Sequence, residues 1–167
     1  QIEVAVAVGT PCLVINSGAK SERFIKKLYP ELPPQTFVHY GNFIGDTLKI
    51  AAELNIKTVT LGIMIGKAVK LAEGNLDTHS RNVVMNKSFL KQLATEAGCS
   101  KTAQTVIDNI ILARELWTQL NMEDAHRFFP KIIDQCLKHC VPLLPNGELT
   151  ILLIDEEGHI IGKKKEG

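Results

Sequence analysis

At 167 residues the chain has the length of one domain, spanning 1–167, with room for a substantial core. Its composition, 45% hydrophobic and 22% charged, is that of a globular protein, and no apolar run reaches the length of a membrane span. Nineteen basic residues against eighteen acidic leave a net charge of +1, which excludes a bulk field for nucleic acid or a membrane surface, so neither is expected as a partner. The cysteines, Cys12, Cys99, Cys136 and Cys140, lack the dense spacing of a disulfide framework, which points to a reducing compartment, the cytoplasm. The first residue is Gln and not Met, so the expectation is the C-terminal part of a longer chain.

In chain order, "PCLVINS" (Pro11 to Ser17) is β-rich, and Ser21 is placed to cap a short helix that stops before Pro30. "TFVHYG" (Thr36 to Gly41) predicts a second strand, and Leu48, Ala51, Ala52 and Leu54 mark one face of the helix after it. "KTVTLGIM" (Lys57 to Met64) followed by "GKAVKLAEG" repeats the unit, with Gly74 as the helix stop. Strands alternating with helices at this spacing predict a Rossmann-like parallel sheet of βα units, with ligands beyond the carboxyl ends of its strands.

A helical segment follows. Asn86 caps a helix carrying Phe89, Leu90, Leu93, Ala94 and Ala97, which ends near Gly98. An apolar stripe from Ala103 to Leu120 keeps helical period and predicts one long helix over Thr102 to Leu120. Glu123 and Asp124 open another helix, which Pro130 is expected to kink or divide. "ELTILLIDEEGHIIGKK" reads as a C-terminal β-hairpin about Glu156, Glu157 and Gly158, with the lysines Lys163 to Lys165 as a solvated tail.

Four stretches carry possible chemistry. "GIMIGK" (Gly62 to Lys67) has three residues between its glycines and Ala68 after the lysine, so it is not a phosphate-binding P-loop. Gly66 nevertheless permits close backbone approach, and Lys67 and Lys70 share a face near a helix start, a corner suited to carboxylates; a plain strand-to-helix turn with solvated lysines explains the same residues. "GNFIGD" offers Gly41, Asn42, Gly45 and Asp46 at a second strand end, Asp46 serving either a ligand or the helix start. "NLDTHSRN" places His79 between two hydroxyls, Thr78 and Ser80, as a proton-transfer or binding residue, or as part of a solvated loop. "CLKHC" (Cys136 to Cys140) lacks the second ligand pair of a closed zinc site and reads as core cysteine, so no protein metal site is expected.

The run "GNFIGDTLKIAAELNIKTVTLGIMIGKAVKLAEGNLDTHS", with its "GK..KLA.G...TH" core, resembles the cobalt-precorrin-5B methyltransferase family, CbiD, of anaerobic cobalamin biosynthesis. The resemblance implies methyl transfer from S-adenosylmethionine to carbon 1 of a cobalt-bearing tetrapyrrole, giving cobalt-precorrin-6A. It implies Gly41, Asn42, Gly45, Asp46, Gly62 and Gly66 at the cofactor, Lys67, Lys70, Thr78 and Ser80 at the substrate, and His79 as the catalytic candidate. It further implies partnership with an N-terminal domain of the same protein, and leaves a homo-oligomer open. Family members carry Thr-Gly where this chain has Ser17 and Gly18. The competing expectation is a non-catalytic ligand-binding or docking domain.

Overall fold

The computed structural model describes residues 1–7, 9, 12–77 and 84–167. Its elements run α1 (Ile2–Ala7), β1 (Cys12–Asn16), α2 (Ala19–Leu28), β2 (Phe37–His39), α3 (Ile44–Glu53), β3 (Thr58–Met64) and α4 (Ile65–Ala72). There follow α5 (Lys87–Glu96), α6 (Lys101–Asn109), α7 (Glu115–Gln119), α8 (Met122–Cys140), β4 (Glu148–Ile154) and β5 (Ile160–Glu166). The expected α/β class, with βα units, a helical segment and a terminal hairpin, is the one observed.

The strands form one sheet in the order β2-β1-β3-β4-β5. The first four are parallel, with Val14 beside Phe37, Leu13 beside Val59 and Leu61 beside Ile151. β5 returns antiparallel to β4, with Leu152 beside Lys163. The chain thus steps from β1 outward to β2, then back across β1 to β3, so α2 and α3 lie on opposite faces of the sheet.

Strand alternation divides the apolar residues accordingly. Leu13, Ile15, Val59, Leu61, Ile63, Leu149, Ile151 and Leu153 join α3, α4 and α8 in the larger core, while Val14 and Ile154 meet Ile25 of α2 and Phe37 on the other face. Gly62 belongs to that second face. A Cβ there would lie 1.8 Å from Ile25 Cδ1, so the missing side chain is what lets α2 lie against β3.

Four local expectations change. Ser21 is not the cap of α2: the helix begins after Gly18, and the Ser21 hydroxyl accepts from the Ser17 and Gly18 amides at 3.1 and 3.3 Å. The long helix over Thr102 to Leu120 is broken into α6 and α7. Lys87 Nζ donates to the Asp108 carbonyl at the end of α6, and the Glu115 carboxylate accepts from the Ile111 and Leu112 amides, so side chains take the backbone groups a continuous helix would have paired. Ile110 stays buried across the break, which is why the stripe keeps its period.

Pro130, by contrast, does not divide α8. It costs about 3 kcal/mol inside a helix, but Phe128, Phe129, Ile132 and Ile133 beside it are fully buried. At roughly 1.5–3 kcal/mol each, that burial outweighs the proline. Lys163, Lys164 and Lys165 form strand β5, where Lys165 pairs with Glu148 at 3.0 Å and Lys164 with Asp134. The Asn86 cap and the Gly74 stop are as expected: Asn86 accepts from Phe89 N at 3.1 Å, and Gly74 has φ +103°.

Candidate functional site

In an open parallel sheet, ligands bind outside the carboxyl ends of the strands where neighbouring connections depart to opposite sides. Here that point lies between β1 and β3. A cleft of about 510 Å³ opens there, and each of the four parallel strands contributes the residue or loop just past its end: Ser17 after β1, Asn42 after β2, Gly66 after β3 and Glu156 after β4. Ile111 to Arg114, the segment between α6 and α7, closes the far side.

The corner after β3 begins with Met64 and turns directly into α4. Gly66 sits in its first turn with nothing within 4 Å of where a Cβ would stand, so the backbone is open to a ligand. Lys67 reaches back from the same turn and donates to the Gly41 carbonyl at 2.6 Å, its ammonium 5.6 Å from the Tyr40 ring centre. Gly41 takes φ +60°, a left-handed turn that costs glycine little and aims its carbonyl at Lys67. Lys67 therefore ties the β2 loop to the β3 loop. Burial, and secondarily the charge of Lys70, push its ammonium below the usual lysine value.

Lys70, one turn on, and Arg114 opposite line the cleft without an ion pair among the described residues. Glu156 is held at the rim by Lys20 at 2.6 Å. The remaining wall is apolar: Met64, Val69, Met85, Ile111 and Leu112, with Ile111 83% exposed. Glu115 holds that last pair in place, since its carboxylate accepts from Leu112 N at 2.5 Å and Ile111 N at 2.9 Å. Those two amide bonds pull the Glu115 carboxyl below its ordinary value. Beneath the cleft Tyr40 is buried and its hydroxyl donates to the Gly62 carbonyl at 3.4 Å.

Of the residues singled out in the sequence, Asn42, Gly66, Lys67 and Lys70 come together in the cleft, with Gly41 braced behind them. Gly45 and Gly62 do not. Gly45 is buried against Leu76, whose Cβ would stand 3.0 Å from an added methyl, and its amide donates to the Leu76 carbonyl at 3.4 Å. Asp46 is exposed in the first turn of α3, away from the cleft lining. Thr78, His79 and Ser80 lie outside the described residues. Arg114, Glu156, Met85 and Ile111 were not singled out as site residues, because chain separation hides their meeting with the glycine loops.

A family profile described as CbiD, C-terminal domain, matches residues 77–165, just over half of the chain. The chain belongs to the CbiD family. The profile takes in the CbiD residues of the far wall, Arg114 and Glu156 among them. Named relatives extend the likeness to the glycine loops. A cobalt-precorrin-5B C(1)-methyltransferase of Prosthecochloris aestuarii is 32% identical over 154 residues, 92% of this chain and 42% of the relative. Proteins of the same name from Geobacillus sp. and Priestia megaterium are each 33% identical over 97% of this chain, and 45% and 44% of their own. This CbiD chain therefore spans less than half the length of these curated relatives. No solved structure matches it.

Within the CbiD domain Cys136 and Cys140 are buried, and all four cysteines are free thiols. Cys136 donates to the Ala68 carbonyl at 3.3 Å, and burial pushes the Cys140 thiol up to about 12. Both are core residues, as their spacing suggested. Among the described residues no helix is long and apolar enough to cross a membrane.

Proposed function

We propose that this chain is the portion of a cobalt-precorrin-5B C(1)-methyltransferase that seats the tetrapyrrole for methylation at carbon 1, on the way to cobalt-precorrin-6A in cobalamin biosynthesis. The observation that carries the reading is the lining of the strand-end cleft. Lys70, Arg114 and the partly committed Lys67 surround an apolar wall of Met64, Val69, Met85 and Leu112. A tetrapyrrole presents the matching chemistry, an apolar macrocycle edged by carboxylates, and its cobalt enters as part of the substrate. The volume, about 510 Å³, lies within the range of ligand pockets.

S-adenosylmethionine is the proposed methyl donor, supplying a carbon already activated on a sulfonium sulfur. What the chain contributes is placement. Holding two reactants in line can supply roughly 7–11 kcal/mol of a displacement barrier. Gly66 allows a reactant to lie against backbone, Lys70 and Arg114 fix the substrate's acid groups, and the Lys67 bridge keeps the two loops at a constant separation. The proposal assigns the turnover to the full-length protein, with the portion beyond this match as partner and a reducing cytoplasm as its setting, in keeping with the four free thiols.

The test is equilibrium binding of a cobalt-bearing tetrapyrrole polycarboxylate, followed by its absorbance. A charged hydrogen bond contributes about 1.5–3 kcal/mol, so Lys70→Gln and Arg114→Gln should each weaken binding about 10-fold to 100-fold. Added salt should weaken the parent further. Affinity unaltered in both variants would refute the assignment.

A further inference from the structure

We propose that a second cleft, beyond the carboxyl end of β4, seats the methyl donor, with Arg114 and Glu156 as the wall it shares with the tetrapyrrole cleft. The inference rests on the methyltransferase reading above and assigns its second reactant a place.

The second cleft has a volume of about 480 Å³ and is bounded by Trp117, His126, Asp155, Glu157 and His159 together with the shared Arg114 and Glu156. Its charge is the reverse of its neighbour's. Lys67 and Lys70 line the first cleft and not this one, whereas Asp155 and Glu157 line this one and not the first; Arg114 and Glu156, the latter paired with Lys20, belong to both, and His126 and His159 complete the polar lining here. S-adenosylmethionine carries two cationic centres, sulfonium and ammonium, against a single carboxylate, and the tetrapyrrole is a polyanion. Charge complementarity therefore sorts the two reactants between the clefts.

The acidic turn is rigidly made. Asp155 is 4% exposed, and its carboxylate accepts from the Glu157 and His159 amides, both at 2.9 Å, with the His159 ring at 3.1 Å. Asp155 is thus the brace, while Glu157, with 80% of its side chain exposed and the His159 ring 3.6 Å from its carboxylate, is the acid most open to a cation. Trp117 supplies the aromatic surface. It is half-buried with its ring set edge-on to Phe129, centroids 5.7 Å apart, and forms part of the cleft wall, where an adenine or a sulfonium can lie against it. Arg114 can take the donor's carboxylate from the shared wall. Two reactants lodged on either side of one arginine and one glutamate are brought edge to edge without either entering a field of its own sign.

Trp117 is the chain's sole tryptophan, which gives the site a built-in reporter. The experiment titrates the 167-residue protein with S-adenosylmethionine, following heat by calorimetry and Trp117 emission in the same samples. The expected result is saturable heat with a parallel change in emission. Glu157→Lys should weaken that binding at least 10-fold while leaving tetrapyrrole affinity within 2-fold, and Lys70→Gln should show the reverse pattern. Binding heat that leaves Trp117 emission unchanged and is weakened by Lys70→Gln would overturn the second cleft alone, placing the donor with the lysines. The absence of any heat with S-adenosylmethionine would overturn the proposal together with this chain's share in binding the donor, while tetrapyrrole binding would still stand or fall by its own measurement.

Discussion

Gly62→Ala separates a glycine kept for a ligand from one kept for packing. An alanine Cβ at this position would stand 1.8 Å from Ile25 Cδ1 and 3.0 Å from its Cγ1, with Ile154 Cδ1 at 3.5 Å. Carbon atoms in contact prefer about 3.5–4.0 Å, so the end of Ile25 must retreat by roughly 2 Å. Ile25 has no exposed surface into which to retreat. The offending atom is the tip of a side chain and not backbone, which keeps the cost in the usual overpacking range of about 1–3 kcal/mol. For a protein of this size that lowers Tm by about 2–12 °C.

Ile25→Val removes the clashing methyl and alone should cost about 0.5–1.5 kcal/mol. The double variant should then be more stable than Gly62→Ala alone, a coupling that urea denaturation of the four proteins measures directly. Tetrapyrrole affinity of the folded protein should not change. Stability of Gly62→Ala within about 0.5 kcal/mol of the parent, or simple addition of the two substitutions, would refute the packing role of Gly62.

Alkaline stability follows from groups buried in their neutral form. Burial raises Cys136 well above its ordinary value, Cys140 to about 12, and the Tyr40 phenol upward as well. In each case the unfolded chain loses its proton first, so the stabilisation is complete below the unfolded value near 9 to 10 and is lost as pH rises toward the folded one. Each fully engaged group contributes a slope of about 1.4 kcal/mol per pH unit, and denaturant midpoints should fall steadily between pH 8.5 and 10.5; a level profile would contradict it. Glu115→Gln should weaken tetrapyrrole binding by freeing Ile111 and Leu112 from the cleft wall, with faster amide exchange at those two residues. Unaltered exchange there would show that the carboxylate does not hold the segment.

The sheet was legible because its signals are local. Strand runs of β-branched residues, Asn86 as a cap and Gly74 as a stop each depend on a few neighbours in sequence. The site was half legible for the same reason: Gly66, Lys67 and Lys70 stand within five residues, and Asn42 joins them through a loop of the same kind. The two glycines of "GIMIGK" look alike in sequence, yet Gly62 lies beneath Ile25 of another helix and Gly66 faces open space, a difference decided by how α2 lies on the sheet. Arg114 was hidden inside an apolar stripe that reads as uninterrupted helix. The break that turns it toward the cleft comes from Glu115 and Lys87 capturing backbone groups, interactions with no periodic signature. Glu156 read as a turn residue, which it is, and only the parallel pairing of β4 with β3 carries that turn to the mouth of the cleft.

The outermost strand has a consequence for how molecules of this kind coexist at high concentration. Among the described residues β5 ends the sheet, with no further strand on its outer side, the geometry onto which another chain's strand could be added. Lys163, Lys164 and Lys165 sit on that border, all exposed, and a second copy approaching in register would bring their charges face to face. On this edge, one of the sheet's two, the lysines thus act as a fence against a further strand, even with Lys164 and Lys165 paired to Asp134 and Glu148.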